Sequence, residues 1–156
     1  MMLFDAVKQT LSQADTVEQV LDSYKNCFDI VDEYAKYLAD GTLQTKDQLL
    51  EAQTKLTGVY ASLITVQKMA EAMKRNIESI MFIQKCEEIE KATGKAAVMS
   101  KVEREVSAAV APWRNVRNIF EGYVLAADKA IFSCQNAIKY MFKDEYYSNN
   151  NPESKF

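Results

Sequence analysis

From Leu49 to Ile80 the apolar residues recur in alternating steps of three and four: Leu49, Ala52, Leu56, Val59, Leu63, Val66, Ala70, Met73, Ile77 and Ile80. That spacing keeps one side of an α-helix apolar, and sustained over so many turns it predicts a long helix packed against other helices. The same alternation runs through Val17, Val20, Tyr24, Cys27, Val31, Tyr34 and Leu38, with Leu21, Phe28 and Ala35 widening the stripe. It returns in Met99, Val102, Val106, Ala109, Trp113, Val116, Phe120, Tyr123 and Ala127, and continues through Ala130, Cys134, Ala137 and Met141. Beyond Ile80 the register slips to Phe82, Cys86 and Ile89. A stutter of this kind alters supercoiling or changes the helix's partner.

Capping signals divide the pattern into helices over about 2–12, 16–39, 45–92, 95–111 and 112–147, followed by a flexible tail over 148–156. Thr16 with Gln19 and Thr45 with Gln48 both have capping-box spacing, while Asp40-Gly41 and Thr93-Gly94 are natural stops. Gly58 costs its helix about 1 kcal/mol relative to Ala and predicts a bend or a close approach there. Pro112 interrupts the last seam without changing its phase, which fits either a kinked helix or two helices stacked end to end. At 1.5 Å per residue, helices of about 45 residues are about 70 Å long. The expected fold is therefore all-α: a long antiparallel helical hairpin or coiled-coil bundle turning near Gly94, with a shorter N-terminal helix pair, forming one domain over 1–147. A hairpin cannot enclose its own stripe, so the 16–39 helix, other copies of the chain, or both must cover it. Apolar flanks at Ile30, Tyr37, Tyr60, Ile64, Phe132 and Phe142 favour a homo-oligomer.

Composition narrows the chemistry. Only 4 of the 156 residues are Gly and 2 are Pro, far below the roughly 12% of an average protein, which removes the punctuation that hairpins and mobile loops need. There is no histidine, so the commonest general base and metal ligand are missing and no Ser/His, Cys/His or zinc site can be assembled. Carboxylate-rich faces occur at Asp22, Asp29, Asp32 and Glu33 and at Glu87-Glu88-Ile89-Glu90, but a bundle metal site pairs Glu with a Glu-x-x-His element that this chain lacks. No phosphate-binding glycine loop or nucleophile elbow is present. The expected protein is not an enzyme and takes no cofactor, metal or small-molecule substrate. Cys27, Cys86 and Cys134 are isolated and sit among apolar neighbours, as plain buried thiols do. No apolar run approaches a membrane span, and Met1-Met2-Leu3-Phe4 meets Asp5 without the basic region of a signal peptide. A cytoplasmic protein is expected.

Charge changes the picture along the chain. Residues 1–67 hold 5 basic and 10 acidic side chains, residues 68–117 hold 10 and 7, and residues 118–156 hold 4 and 5. The positive stretch includes Lys68, Lys74, Arg75, Arg114 and Arg117. Glu71 before Arg75 and Glu87 before Lys91 have the spacing of ordinary helix ion pairs, so a solvated face accounts for much of it. The alternative is a phosphate-tracking surface, to which Arg114 and Arg117 with Asn115 and Asn118 add a donor-rich strip. Lys139-Tyr140, Lys143 and Tyr146-Tyr147 fit either an aromatic-basic stacking patch for single strands or the amphipathic end of a bundle helix.

Val66-Gln67-Lys68 followed by Ala72-Met73-Lys74-Arg75, and the stretch from Trp113 through Phe120-Glu121-Gly122-Tyr123 to Ala130-Ile131 and Ala137-Ile138-Lys139, resemble the UvsY-type recombination mediators of phages. Glu51-Ala52-Gln53-Thr54-Lys55 offers a second register for the first element. The resemblance implies a non-enzymatic oligomer that binds single-stranded DNA and helps load a recombinase. It implies that Lys68, Lys74 and Arg75 contact phosphates, and that the seam of Val116, Phe120, Tyr123, Ala127, Ile131, Cys134 and Ile138 holds the oligomer together. The alternative from the residues alone is a helical interaction module, such as a phage-encoded inhibitor or assembly chaperone, that docks one protein partner through a coiled-coil face.

Overall fold

A computed structural model describes Asp5 and residues 17–150, and in these every regular element is helical. The helices are α1 (Val17–Ser23), α2 (Lys25–Ala39), α3 (Lys46–Thr93), α4 (Met99–Ala109) and α5 (Ala111–Asn150). The chain is all-α, as the periodicity predicts. The helix expected over 2–12, apart from Asp5, lies outside the described residues, as do Thr16 and the tail beyond Asn150.

Boundaries follow local chemistry. At the start of α3 the Thr45 hydroxyl accepts from the Gln48 N–H at 3.3 Å while Gln48 Oε1 accepts from the Thr45 N–H at 3.1 Å, a reciprocal capping box. α2 ends at Gly41, which adopts φ +66°, and the Thr42 N–H reaches back to the Tyr37 carbonyl at 2.9 Å. That six-to-one bond is the Schellman closure, and it needs the left-handed conformation that glycine takes without a Cβ penalty. Gly94, at φ +65°, ends α3 in the same way.

Four expectations are corrected. The helix expected over 16–39 is broken at Tyr24, whose N–H bonds the Leu21 carbonyl at 3.1 Å instead of continuing the four-residue ladder. The segment expected from Lys95 begins at Met99, because Gly94 turns the chain and residues 96–98 stay irregular. α4 and α5 are separate, divided at Val110, with Pro112 in the first turn of α5, where its missing N–H breaks no internal bond. α5 continues to Asn150, past the predicted stop at Tyr147. Gly58 marks no close approach, since a Cβ built there meets no heavy atom within 4 Å.

The helices form two compact units, one within Met1–Tyr24 and Ile64–Glu121, the other within Lys25–Leu63 and Gly122–Phe156. In the first, Val20, Val66, Ala70, Val102, Val106, Val110, Val116 and Phe120 are buried, and the Tyr24 ring meets the Phe120 ring edge-on at 5.4 Å. Val110 takes the interior place expected of Ala109, because the break rotates the stripe by one residue. In the second unit the interior is Val31, Tyr34, Leu49, Ala52, Leu56, Val59, Leu63, Val124, Ala127, Ala130, Cys134 and Ile138. There α2 meets α5 through the Phe28 and Tyr123 rings, 4.3 Å apart, and through the Tyr123 hydroxyl donating to Asp32 at 3.1 Å. Lys46, in the first turn of α3, lies 3.7 Å over the Phe142 ring of α5. The α3 seam thus faces the interior from Leu49 to Ala70, is half-buried at Met73 and Ile77, and emerges at Ile80.

Candidate functional site

Lys68 and Arg75 are seven residues apart on α3, which brings them to one side of the helix. Their side chains keep 66% and 72% of their exposure. Glu71 lies between them, its Oε1 2.7 Å from Arg75 Nη2 and its Oε2 3.9 Å from Lys68 Nζ. Lys68, Glu71, Ala72, Arg75 and Asn76 line a shallow depression of about 280 Å³. A second depression of about 450 Å³ shares Lys68 and Ala72 and is completed by Ile64, Thr65 and Met69. One face of α3 therefore offers two cations beside an apolar trough, with one carboxylate between the cations. Ion pairs this exposed are worth about 0–1 kcal/mol, so an incoming anion can take Glu71's place at little cost.

The other predicted cations do not join this face. Lys74 is adjacent to Arg75 in sequence but about a third of a turn away on the helix; its side chain keeps only 18% exposure and pairs with Glu78 at 3.5 Å. Gln67 of the Val66-Gln67-Lys68 element is buried, so of those three residues only Lys68 is exposed. Arg114 Nη2 donates to Ser107 Oγ at 3.0 Å, bracing the break between α4 and α5. Arg117 donates through Nε and Nη2 to Asn118 Oδ1 at 3.1 and 2.6 Å. The donor-rich strip expected of these residues is thus partly spent on itself. Among the described residues, no printed ion pair or hydrogen bond links Arg114 or Arg117 to Lys68, Lys74 or Arg75.

The residues expected to join copies of the chain lie within a single one. Val116, Phe120, Ala127, Cys134 and Ile138 are buried, and Tyr123 and Ile131 are half-buried, in one protomer. A helical chain that folds back on itself covers its own stripe. Apolar surface left outside includes Ile80, Ile83, Val98 and Met99 in one unit, and Leu125, Phe132, Tyr140, Phe142, Tyr146 and Tyr147 in the other.

The C-terminal aromatic-basic residues do converge. Asn136, Lys139, Tyr140, Phe142 and Lys143 line a depression of about 350 Å³, and the Tyr146 and Tyr147 rings stand 5.9 Å apart at 79°. Sequence reasoning missed the Lys46 ammonium over Phe142, because nothing in spacing links residues on two different helices. It also missed the cluster of Tyr34, Glu51 and Lys55, in which the hydrogen bond to Glu51, then that to Tyr34, holds the Lys55 ammonium well above its usual range. The same pairing lowers Glu51.

The acidic face of α2 is taken up locally. Asp29 pairs with Lys25 at 2.7 Å, Asp32 accepts from Tyr123, and Glu33 accepts from Tyr37. Among the described residues no group of three or more His, Cys, Asp and Glu is placed to hold a metal ion. All three cysteines are free, and burial raises the thiols of Cys27 and Cys134, which makes poor nucleophiles of them. No helix among the described residues is long and apolar enough to cross a membrane.

Compared with family models, curated proteins and solved structures, the chain matches none. Its function has to be argued from its own residues.

Proposed function

We propose that this protein is a non-enzymatic, self-associating helical protein that binds single-stranded DNA along α3 and, as its resemblance to UvsY-type mediators implies, assists a recombinase in loading. In this reading α3 packs antiparallel to the helices that follow it, in the manner of a long hairpin. One observation carries it: Lys68 and Arg75 stand exposed on the same side of a rigid helix, beside an apolar trough. Cations held at fixed spacing neutralise successive phosphates, and the apolar floor suits the face of an unstacked base. Arg114 and Arg117 supply further positive charge in the same part of the sequence, and Lys74, mostly covered, has a smaller role than its sequence neighbour.

Fluorescence anisotropy of a labelled single-stranded oligonucleotide, titrated from low to physiological salt, tests the reading. Binding should weaken steeply with salt, and Lys68→Ala with Arg75→Ala should lower the slope of log affinity against log salt by about two. Lys74→Ala should change it by less. Absence of binding at low salt sinks the proposal.

A protein-docking module is the second reading, favoured by Leu125 and Phe132, which stand more than half exposed on one stripe of α5. Apolar docking tolerates salt, so the same titration separates the two.

A further inference from the structure

Opposite the interior face of α5, which carries Ala127, Cys134 and Ile138, the heptad positions Leu125, Phe132, Lys139 and Tyr146 form an outward stripe, with Asp128 and Lys143 beside it. Leu125 is 56% exposed, Phe132 57% and Tyr146 67%, and Asp128, Lys139 and Lys143 are also exposed. Asp128, Lys139 and Lys143 have no ion-pair or hydrogen-bond partner among the described residues. A large aliphatic and a large aromatic side chain are thus held in water between unpartnered charges.

The order of these residues is self-complementary. Leu125 and Tyr146, Asp128 and Lys143, and Phe132 and Lys139 are three pairs that share one midpoint, between Gln135 and Asn136. A second copy of the helix laid antiparallel about a two-fold axis at that midpoint brings each residue opposite the other member of its pair. Asp128 meets Lys143 of the second copy, the Phe132 ring meets the Lys139 ammonium, and Leu125 meets the Tyr146 ring. Opposite charges attract, a cation over an aromatic face is favourable, and the apolar ends bury one another. A parallel arrangement in register sets Asp128 against Asp128 and each lysine against itself, so charge alone selects the antiparallel pairing. Isologous contacts of this kind close at two subunits.

We infer that the outward stripe of α5 is a two-fold docking surface for a second copy of this chain. The strip from Leu125 to Tyr146 is about 33 Å long at 1.5 Å per residue, which buries less than a standard interface and places the dimer in the micromolar range. This surface is separate from the α3 cations, and it is read by mass rather than by DNA binding, so either proposal fails without the other.

Sedimentation equilibrium of the full chain from about 1 to 500 μM, a span that brackets an interface of this size, tests the inference, with circular dichroism to confirm that each variant keeps its helix. The wild type should pass from monomer to dimer. Asp128→Lys sets two cations opposite each other, and Lys143→Asp two carboxylates; each should raise the dissociation constant at least about tenfold. The double variant restores the pair with reversed polarity and should return to within about threefold of wild type. A chain that stays monomeric throughout, an assembly indifferent to both single substitutions, or a double variant as weak as the singles overturns the inference.

Discussion

Leu56 and Gly58 lie two positions apart on α3 and point to opposite environments. Leu56 is wholly withdrawn from solvent, whereas Gly58 is exposed with open space where a Cβ would stand. Leu56→Ala should therefore cost about 2–5 kcal/mol, through lost burial and the cavity left behind, and Leu56→Asp should prevent folding by burying an unpaired charge. Gly58→Ala should stabilise by about 0.5–1 kcal/mol, because it removes unfolded-state freedom and adds a better helix former. Urea denaturation of the two alanine variants checks both signs, and a stabilising Leu56→Ala would refute the assignment of the seam. The cationic site teaches a related lesson. Lys74-Arg75 is the conspicuous pair in the sequence, yet neighbours on a helix diverge by about 100°, and it is the distant Lys68 that shares a side with Arg75.

At the scale of elements, α3 was legible almost to the residue because a capping box opens it and a left-handed glycine closes it. The break at Tyr24 was not, since no glycine or proline marks it and the apolar alternation passes straight through; the aromatic contact with Phe120 belongs to tertiary packing. For the same reason the seam of α5 was legible as a buried stripe but not what buries it, as periodicity is silent on whether the covering helix belongs to the same chain. Tyr123 ties α2 to α5 in a way that pH can read. Burial first, and then the hydrogen bond it donates to Asp32, hold its phenol above the usual tyrosine range. A phenol whose folded value exceeds its unfolded one contributes stability below about pH 10, and that contribution is lost as pH rises through the folded value. Unfolding free energies measured between about pH 9 and 11, around the ordinary tyrosine value, should fall in the wild type. Tyr123→Phe should flatten that fall; an unchanged slope would show that the phenol does not couple the two helices.

Across the whole molecule, protection from solvent is uneven. The α3 seam is buried from Leu49 to Ala70, whereas Ile80, Ile83, Val98 and Met99 are exposed around the turn at Gly94. Backbone amides are guarded by the packing around them. Amide hydrogen exchange should accordingly be slowest over residues 49–70 and faster by about tenfold or more over 80–98, equivalent to at least 1.4 kcal/mol of local opening. Uniform protection along α3 would mean that something else covers its distal end.

The ion pairs carry a last consequence. Lys25–Asp29, Lys55–Glu51, Lys68–Glu71, Lys74–Glu78, Arg75–Glu71, Lys85–Glu88 and Lys91–Glu87 each join residues three or four apart on one helix, and only Lys85–Glu105 joins two helices. Pairs within one turn do not need the tertiary fold in order to form. They persist wherever the chain is transiently helical, so the denatured ensemble keeps nascent coils of α3 when its packing is gone. Denaturation then exposes less new surface than the chain length suggests, and the heat-capacity increment on melting should fall below that of an average chain of this size.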